Sequence, residues 1–272
     1  MHAGPLITVD ELAGRLGRVS VLDVRYVMGG PPGRPSYDAG HVPGAAYVDL
    51  DTALAARPGP RGRHPLPDVS VFEEAMRDAG VRADRPVVAY DDWQGRAAAR
   101  CWWLLRWAGH TDVRVLDGGW SAWVDASLDV AVGPESTDGG DFRAAPGQLG
   151  TLSPDEVLSF AREHVLVDAR EAARFRGEVE PVDPVAGHIP GAVNVPTSAN
   201  LRPDGTFKRP EELRALYPPA GGGSVGAYCG SGVTAAHDLL AMAVAGIDGV
   251  LYPGSWSEWV TDPSRPVATG GV

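Results

Sequence analysis

The chain repeats itself, and this constrains its fold more than any other feature. The stretch ITVDELAGRLGRVSVLDVR (7–25) is echoed by LSPDEVLSFAREHVLVDAR (152–170). GHVPGAA (40–46) returns as GHIPGAV (187–193), VVAYD (87–91) as VGAYC (225–229), and GGWSAW (118–123) as GSWSEW (254–259). The four blocks keep their order at offsets of 145, 147, 138 and 136 residues, the mark of a duplicated unit. Each copy must then bury its own core. The first copy is expected over 1–127 and the second over 151–272. Between them, 128–150 is rich in Gly, Pro and Asp without periodicity and reads as a linker.

Both copies open on a capping box, Thr8 with Glu11 and Ser153 with Glu156, where hydroxyl and carboxylate satisfy the free N–H groups of a helix start. Each then enters an apolar run closed by Asp-x-Arg: Asp23 with Arg25, and Asp168 with Arg170. In the second copy, apolar runs predict strands near 165–168, 192–195, 224–228 and 249–252. Spacings of three and four predict helices over 153–163, 210–216 and 232–245. Short buried strands alternating with helices imply an α/β fold, two tandem domains each with a parallel sheet and helices on both faces. Ligands of such sheets sit beyond the carboxyl ends of the strands.

Composition excludes several classes. Hydrophobic content of 44% and charged content of 22% are those of a soluble globular protein. A net charge of −11 advertises no basic face, so nucleic acid is not an expected partner. Cys101 and Cys229 are the two cysteines, at neither metal-ligand nor disulfide-framework spacing, so neither a metal nor a cofactor is expected. The amino-terminal residues lack a basic stretch leading into an apolar one, and the apolar runs are too short for a membrane span. A reduced, cytoplasmic location is expected.

Cys229 stands in VGAYCGSGVTAAHDLL (225–240), where a strand hands over to a helix. A lone cysteine is usually a buried apolar residue. Here Gly230 and Gly232 permit backbone N–H groups to turn inward, and the helix beyond adds its own free N–H groups and positive dipole end. Such a cradle favours a thiolate nucleophile. Gly230, Ser231, Gly232, Val233 and Thr234 would form it. A phosphatase of the C-x5-R type needs an arginine where this chain has Ala235. A papain-like enzyme needs a nearby histidine, and His237 lies about two turns into the helix, facing away. A thiolate that accepts a small group, held by backbone hydrogen bonds, remains; sulfane sulfur fits.

Together, Asp-x-Arg, GHVPGA/GHIPGA, the CGSGVTA loop and GSWSEW resemble the two-domain rhodanese-like sulfurtransferases over nearly the whole chain. The resemblance implies an amino-terminal domain without a nucleophile, as Asp91 at the place of Cys229 suggests, and a catalytic carboxy-terminal domain. It implies transfer of sulfur from 3-mercaptopyruvate through a Cys229 persulfide to a thiophilic acceptor: cyanide, a thiol or thioredoxin. Thiosulfate is the alternative donor, and a persulfide carrier with little small-molecule turnover is the reading from another class. In the family, neutral loops such as Gly230-Ser231-Gly232 go with mercaptopyruvate and basic ones with thiosulfate.

The resemblance also assigns residues. Arg174, in ARFRG, matches the arginine that holds the donor's carboxylate; a second arginine nine residues on is here Asp183, with Arg176 nearby. His41 matches a position near the substrate, within a proposed serine–histidine–aspartate relay whose serine would be Ser231 and whose aspartate position is Gly30. The duplicate His188 argues that this histidine chiefly fixes a turn. Cys101 and the tryptophans of WSAW and WSEW read as core. RGRHPLP (61–67) is a basic, proline-rich loop, suited to a cleft rim or simply to solvent.

Overall fold

The computed structural model describes residues 4–219 and 221–271. The chain divides into two compact units, one of 1–56, 67–148 and 203–206, the other of 57–66, 149–202 and 207–272.

In the first unit the elements run β1 (Leu6–Ile7), α1 (Val9–Ala13), β2 (Ser20–Asp23), α2 (Arg34–Ala39) and β3 (Ala45–Tyr47). They continue with α3 (Leu50–Ala53), α4 (Val69–Asp78), β4 (Val87–Tyr90), α5 (Arg96–Trp107), β5 (Val113–Leu116) and α6 (Gly119–Asp125). All pairings are parallel, in the order β1-β5-β4-β2-β3. The second unit runs α7 (Pro154–Glu163), β6 (Val165–Asp168), α8 (Ala172–Phe175), β7 (Val193–Asn194) and a 3-10 turn (Thr197–Asn200). It ends with α9 (Pro210–Leu216), β8 (Val225–Tyr228), α10 (Val233–Val244), β9 (Gly249–Leu251) and α11 (Ser255–Trp259). Its sheet is parallel in the order β7-β6-β8-β9, and a single parallel bridge, Thr151 to Leu251, stands where β1 pairs β5 in the other copy.

β4 and β8 are buried along their whole length, as strands covered on both faces must be. Both capping boxes form, at Thr8–Glu11 and Ser153–Glu156, and Pro154 starts α7 where its missing N–H costs nothing. The core of the second unit gathers Val157, Leu166, Phe175, Ile189, Tyr228, Trp256 and Trp259; that of the first holds Leu12, Val21, Val42, Tyr90 and Trp123. Cys101 lies fully buried in α5, where burial pushes its thiol up to about 12.

The repeated polar motifs are fold devices. Arg170 grips Asp168 through Nε and Nη2, at 3.0 and 2.6 Å, and its Nη2 also donates to the Gly187 carbonyl at 2.6 Å. This ties the end of β6 to the GHIPGA turn, while the Tyr228 hydroxyl accepts the Ile189 N–H at 3.1 Å. Arg25, Asp23, Gly40, Tyr90 and Val42 repeat the arrangement in the first unit. These buried ion pairs are tolerated because each carboxylate and guanidinium is hydrogen-bonded to its partner and the guanidinium also to a turn carbonyl.

Residues 128–148, expected as linker, are bound to the first unit. Ala131 and His41 exchange backbone bonds at 2.9 and 3.0 Å, and the buried Phe142 donates its N–H to the Val81 carbonyl. Side-chain patterning is weak there because backbone bonds hold the segment.

Candidate active site

Cys229 follows β8 directly and is 1% exposed. Its carbonyl accepts the Trp256 N–H and that of Gly230 accepts the Ser257 N–H, both at 2.9 Å, so α11 clamps the loop. The Cys229 N–H donates to Ser255 Oγ at 3.1 Å, and Ser255 in turn donates to the Tyr252 carbonyl at 2.9 Å. Ser255 holds φ 55°, unfavourable for a residue with a side chain, and its counterpart in the first copy is Gly119. Strain of this kind persists where surrounding bonds over-determine it, commonly at functional sites.

Gly232 caps α10 at φ 81°, and a Cβ there would stand 2.4 Å from the Pro253 carbonyl oxygen; only glycine fits. Its N–H points back at Cys229 Sγ, 3.1 Å away. The sulfur thus sits at the start of a 12-residue helix, within reach of oriented donors. Val233 and Thr234 are the first residues of α10, and Ser231 is buried in the loop.

The loop residues carry no charge, yet cations stand beside them. A Cβ on Gly230 would lie 2.8 Å from Arg63 Nη2 and 3.7 Å from both terminal nitrogens of Arg174. Arg174 is held by Glu180, through Nη2 at 2.6 Å and Nε at 3.1 Å, and by Asp183 at 3.1 Å. Arg63 pairs with Asp183. Burial raises the Glu180 carboxyl, but the bond from Arg174 and the N–H groups of Asp183 and Val182 outweigh it and leave it below its ordinary value. Asp183 goes the other way: burial pushes it up, against the opposing pull of Arg63. Arg176, further along, pairs with the exposed Glu178.

His64 Nδ1 lies 2.7 Å from Ser231 Oγ. The expectation for a histidine on Ser231 rested on His41, which the structure uses otherwise. His41 is fully buried in the first unit, donating Nδ1–H to the Tyr37 carbonyl at 2.8 Å and stacking on the Tyr37 ring at 4.0 Å. His188 repeats this with Phe175, at 2.7 and 3.7 Å. A carbonyl only accepts, so both rings carry their proton on Nδ1 and brace the turn. His237 is buried in α10 with Thr197 at 2.7 Å and Phe207 stacked at 4.7 Å, turned from the loop as expected.

Arg63 and His64 come from RGRHPLP, which the sequence left between two readings. The segment is tightly built: Gly59 and Gly62 exchange backbone bonds, the Arg63 N–H donates to Ser257 Oγ at 3.0 Å, and a Cβ on Gly62 would meet the Gly254 carbonyl at 2.7 Å. The available signal was a cluster of Arg61, Arg63 and His64 in a stretch without apolar periodicity.

The first copy shows what such a loop does with a carboxyl side chain. Asp91 Oδ1 accepts the N–H groups of Trp93 and Gly95, and Oδ2 that of Ala98, each at 2.8 Å. Burial pushes this carboxyl up while the three N–H groups oppose it. A carboxylate carries no transferable sulfur, so this loop is occupied by its own side chain.

Among the described residues no helix is long and apolar enough to cross a membrane. The rhodanese-like domain model matches 8–126 and again 153–262. A Mycobacterium tuberculosis protein named as a thiosulfate sulfurtransferase is 47% identical over 277 residues, covering 97% of each chain. A Pseudomonas aeruginosa protein named as a 3-mercaptopyruvate sulfurtransferase is 45% identical over 283 residues, covering 99% of this chain and 100% of the other. The crystal structure of a 3-mercaptopyruvate sulfurtransferase from Escherichia coli superposes with a TM-score of 0.84 at 33% identity, over 94% of this chain and all of that one. Two family matches in tandem and relatives aligned end to end show that the chain belongs to the rhodanese-like family of two-domain sulfurtransferases.

Proposed function

We propose that Cys229 takes sulfur from 3-mercaptopyruvate and passes it to a thiophilic acceptor. The observation that carries the reading is the Gly232 N–H on Cys229 Sγ, at the head of α10, with the Arg174 guanidinium beside Gly230. The thiolate attacks the donor's sulfur, forming an S–S bond. The C–S bond breaks and its electron pair leaves with the carbon as the enolate of pyruvate, which takes up a proton. The persulfide left on Cys229 faces the loop's N–H groups, which stabilise its negative terminal sulfur without reorganisation. Arg174 holds the donor's carboxylate, and Ser231, with His64 behind it, serves proton movement at the donor. A second nucleophile (cyanide in the test tube, a thiol or thioredoxin in the cell) attacks the terminal sulfur and releases the Cys229 thiolate.

Thiosulfate is the second reading, favoured by two guanidinium groups beside the neutral loop and by the name of the Mycobacterium tuberculosis relative. Steady-state rates with the two donors side by side decide between them. A higher kcat/KM for mercaptopyruvate is expected. A preference for thiosulfate overturns the donor assignment, and absent turnover with both leaves a carrier loaded by a partner protein.

A further inference from the structure

We infer that Arg63 is a donor-binding residue, and that the Arg63–Asp183 pair sets how the site divides donors of one negative charge from donors of two. This rests on the reading of Cys229 as the sulfur carrier. Arg63 Nη2 would stand 2.8 Å from a Cβ on Gly230, nearer to the loop than either terminal nitrogen of Arg174. A surface arginine would not be so placed by chance packing. Its backbone N–H is bonded to Ser257, its segment is clipped to Gly254 through Gly62, and its guanidinium is paired with the buried Asp183. The next residue, His64, touches Ser231 of the loop itself.

Charge explains the arrangement. Arg63 and Arg174 lie beside Gly230; Asp183 bonds both of them, and Glu180 bonds Arg174. With all four ionised, the cluster is neutral before a donor arrives. It offers fixed N–H donors to a carboxylate without a surplus of positive charge. Mercaptopyruvate, a monoanion at its carboxylate, needs the donors; thiosulfate, a dianion, gains more from net positive charge. Asp183 therefore acts through Arg63 as a positioning and charge-balancing residue, while Arg63 meets the donor itself.

Opposite substitutions in the full-length protein test this by the ratio of kcat/KM for thiosulfate to that for mercaptopyruvate. Arg63→Ala should raise KM for mercaptopyruvate about tenfold or more, as expected for the loss of a charged hydrogen-bond partner, with the ratio falling. Asp183→Asn removes one negative charge and should raise the ratio about fivefold, the effect of one further unit charge about 4 Å away in a water-like medium. Discharge of a Cys229 persulfide, loaded at saturating donor, to a neutral thiol should be unchanged in both. Arg63→Gln, shorter and uncharged but still carrying a polar N–H pair, carries the same test if the alanine variant does not fold. Equal losses with both donors, or an unmoved ratio in Asp183→Asn, would overturn the inference and leave Arg63 as a brace for His64. Persulfide formation in the wild-type protein, read by intact mass, checks the underlying reading separately: its absence sinks that reading, not the Arg63 assignment alone.

Discussion

Asp91 and Cys229 end equivalent strands, and in each loop the glycine that caps the next helix reaches back to the side chain. The Gly95 N–H donates to Asp91 Oδ1 at 2.8 Å, and the Gly232 N–H to Cys229 Sγ at 3.1 Å. A carboxylate projects one atom further into the loop than a thiol. There it collects a donor from Ala98, the third residue of α5, whose counterpart in α10 is Ala235. A persulfide also projects one atom further than a thiol. The first copy is thus an internal precedent for a loop whose N–H groups hold a terminal acceptor atom, and it supports the proposed mechanism by chemistry alone.

The proposed nucleophile gives the first expectation. Cys229→Ser should abolish sulfur transfer, while Cys101→Ser, a change in the α5 core, should lower stability but leave the activity of folded protein. Intact mass after incubation with donor should show one added sulfur atom, lost on adding cyanide. Substantial turnover in Cys229→Ser would rule the mechanism out.

Arg174 is expected to act on donor loading. Arg174→Ala should cut kcat/KM for mercaptopyruvate by one to two orders of magnitude, since a hydrogen bond to a charged group contributes about 1.5–3 kcal/mol. Persulfide discharge has no carboxylate to hold and should hardly change. Glu180 keeps Arg170 at 3.3 Å and Asp183 keeps Arg63, so no carboxylate is orphaned and the melting temperature should fall only modestly. Equal loss in both half-reactions would assign Arg174 to structure.

Ser255 marks a difference between the copies, with Gly119 in its place in the first. Its Oγ accepts the buried N–H of Cys229. Ser255→Ala should leave that donor unpaired, destabilising the protein by about 1–3 kcal/mol and slowing sulfur uptake more than discharge. Chemical denaturation and single-turnover loading measure the two effects. An unchanged loading rate would confine Ser255 to the fold.

Acid should weaken the ion cluster through Glu180. Its folded-state value lies below the ordinary 4.5, so its stabilisation is complete above that pH and is lost as pH falls through the folded value. Asp183 has the opposite sign, its folded value being raised, so its contribution is lost as pH rises instead. Glu180→Gln should therefore flatten the fall of melting temperature below pH 4.5. A variant with the wild-type acid slope would show that Glu180 contributes nothing to it.

Much of this protein was legible in order along the chain. Short apolar runs, period-3.6 patterns, capping boxes and the duplication depend on neighbours a few residues apart, or on the same text twice. They located β6, β8, α7, α9 and α10 to within a residue or two. The family, the parallel sheets and the loop opened by Cys229 follow from such local signals.

Which distant side chains meet is set by tertiary packing. His41 and Ser231 share a motif-level expectation, yet His41 braces a turn with Tyr37, and His64 reaches Ser231. Asp183 looked like a missing cation; folded, it holds the cation supplied by Arg63, 120 residues earlier. Linear spacing carries no information about such pairs, because charge and hydrogen-bond complementarity act through space and the clipped segment 57–66 has no periodic pattern to announce where it packs. The sequence alone determined two copies of one unit and a cysteine at the head of a helix; the packing of loops onto that framework decided which cations and which histidine surround it.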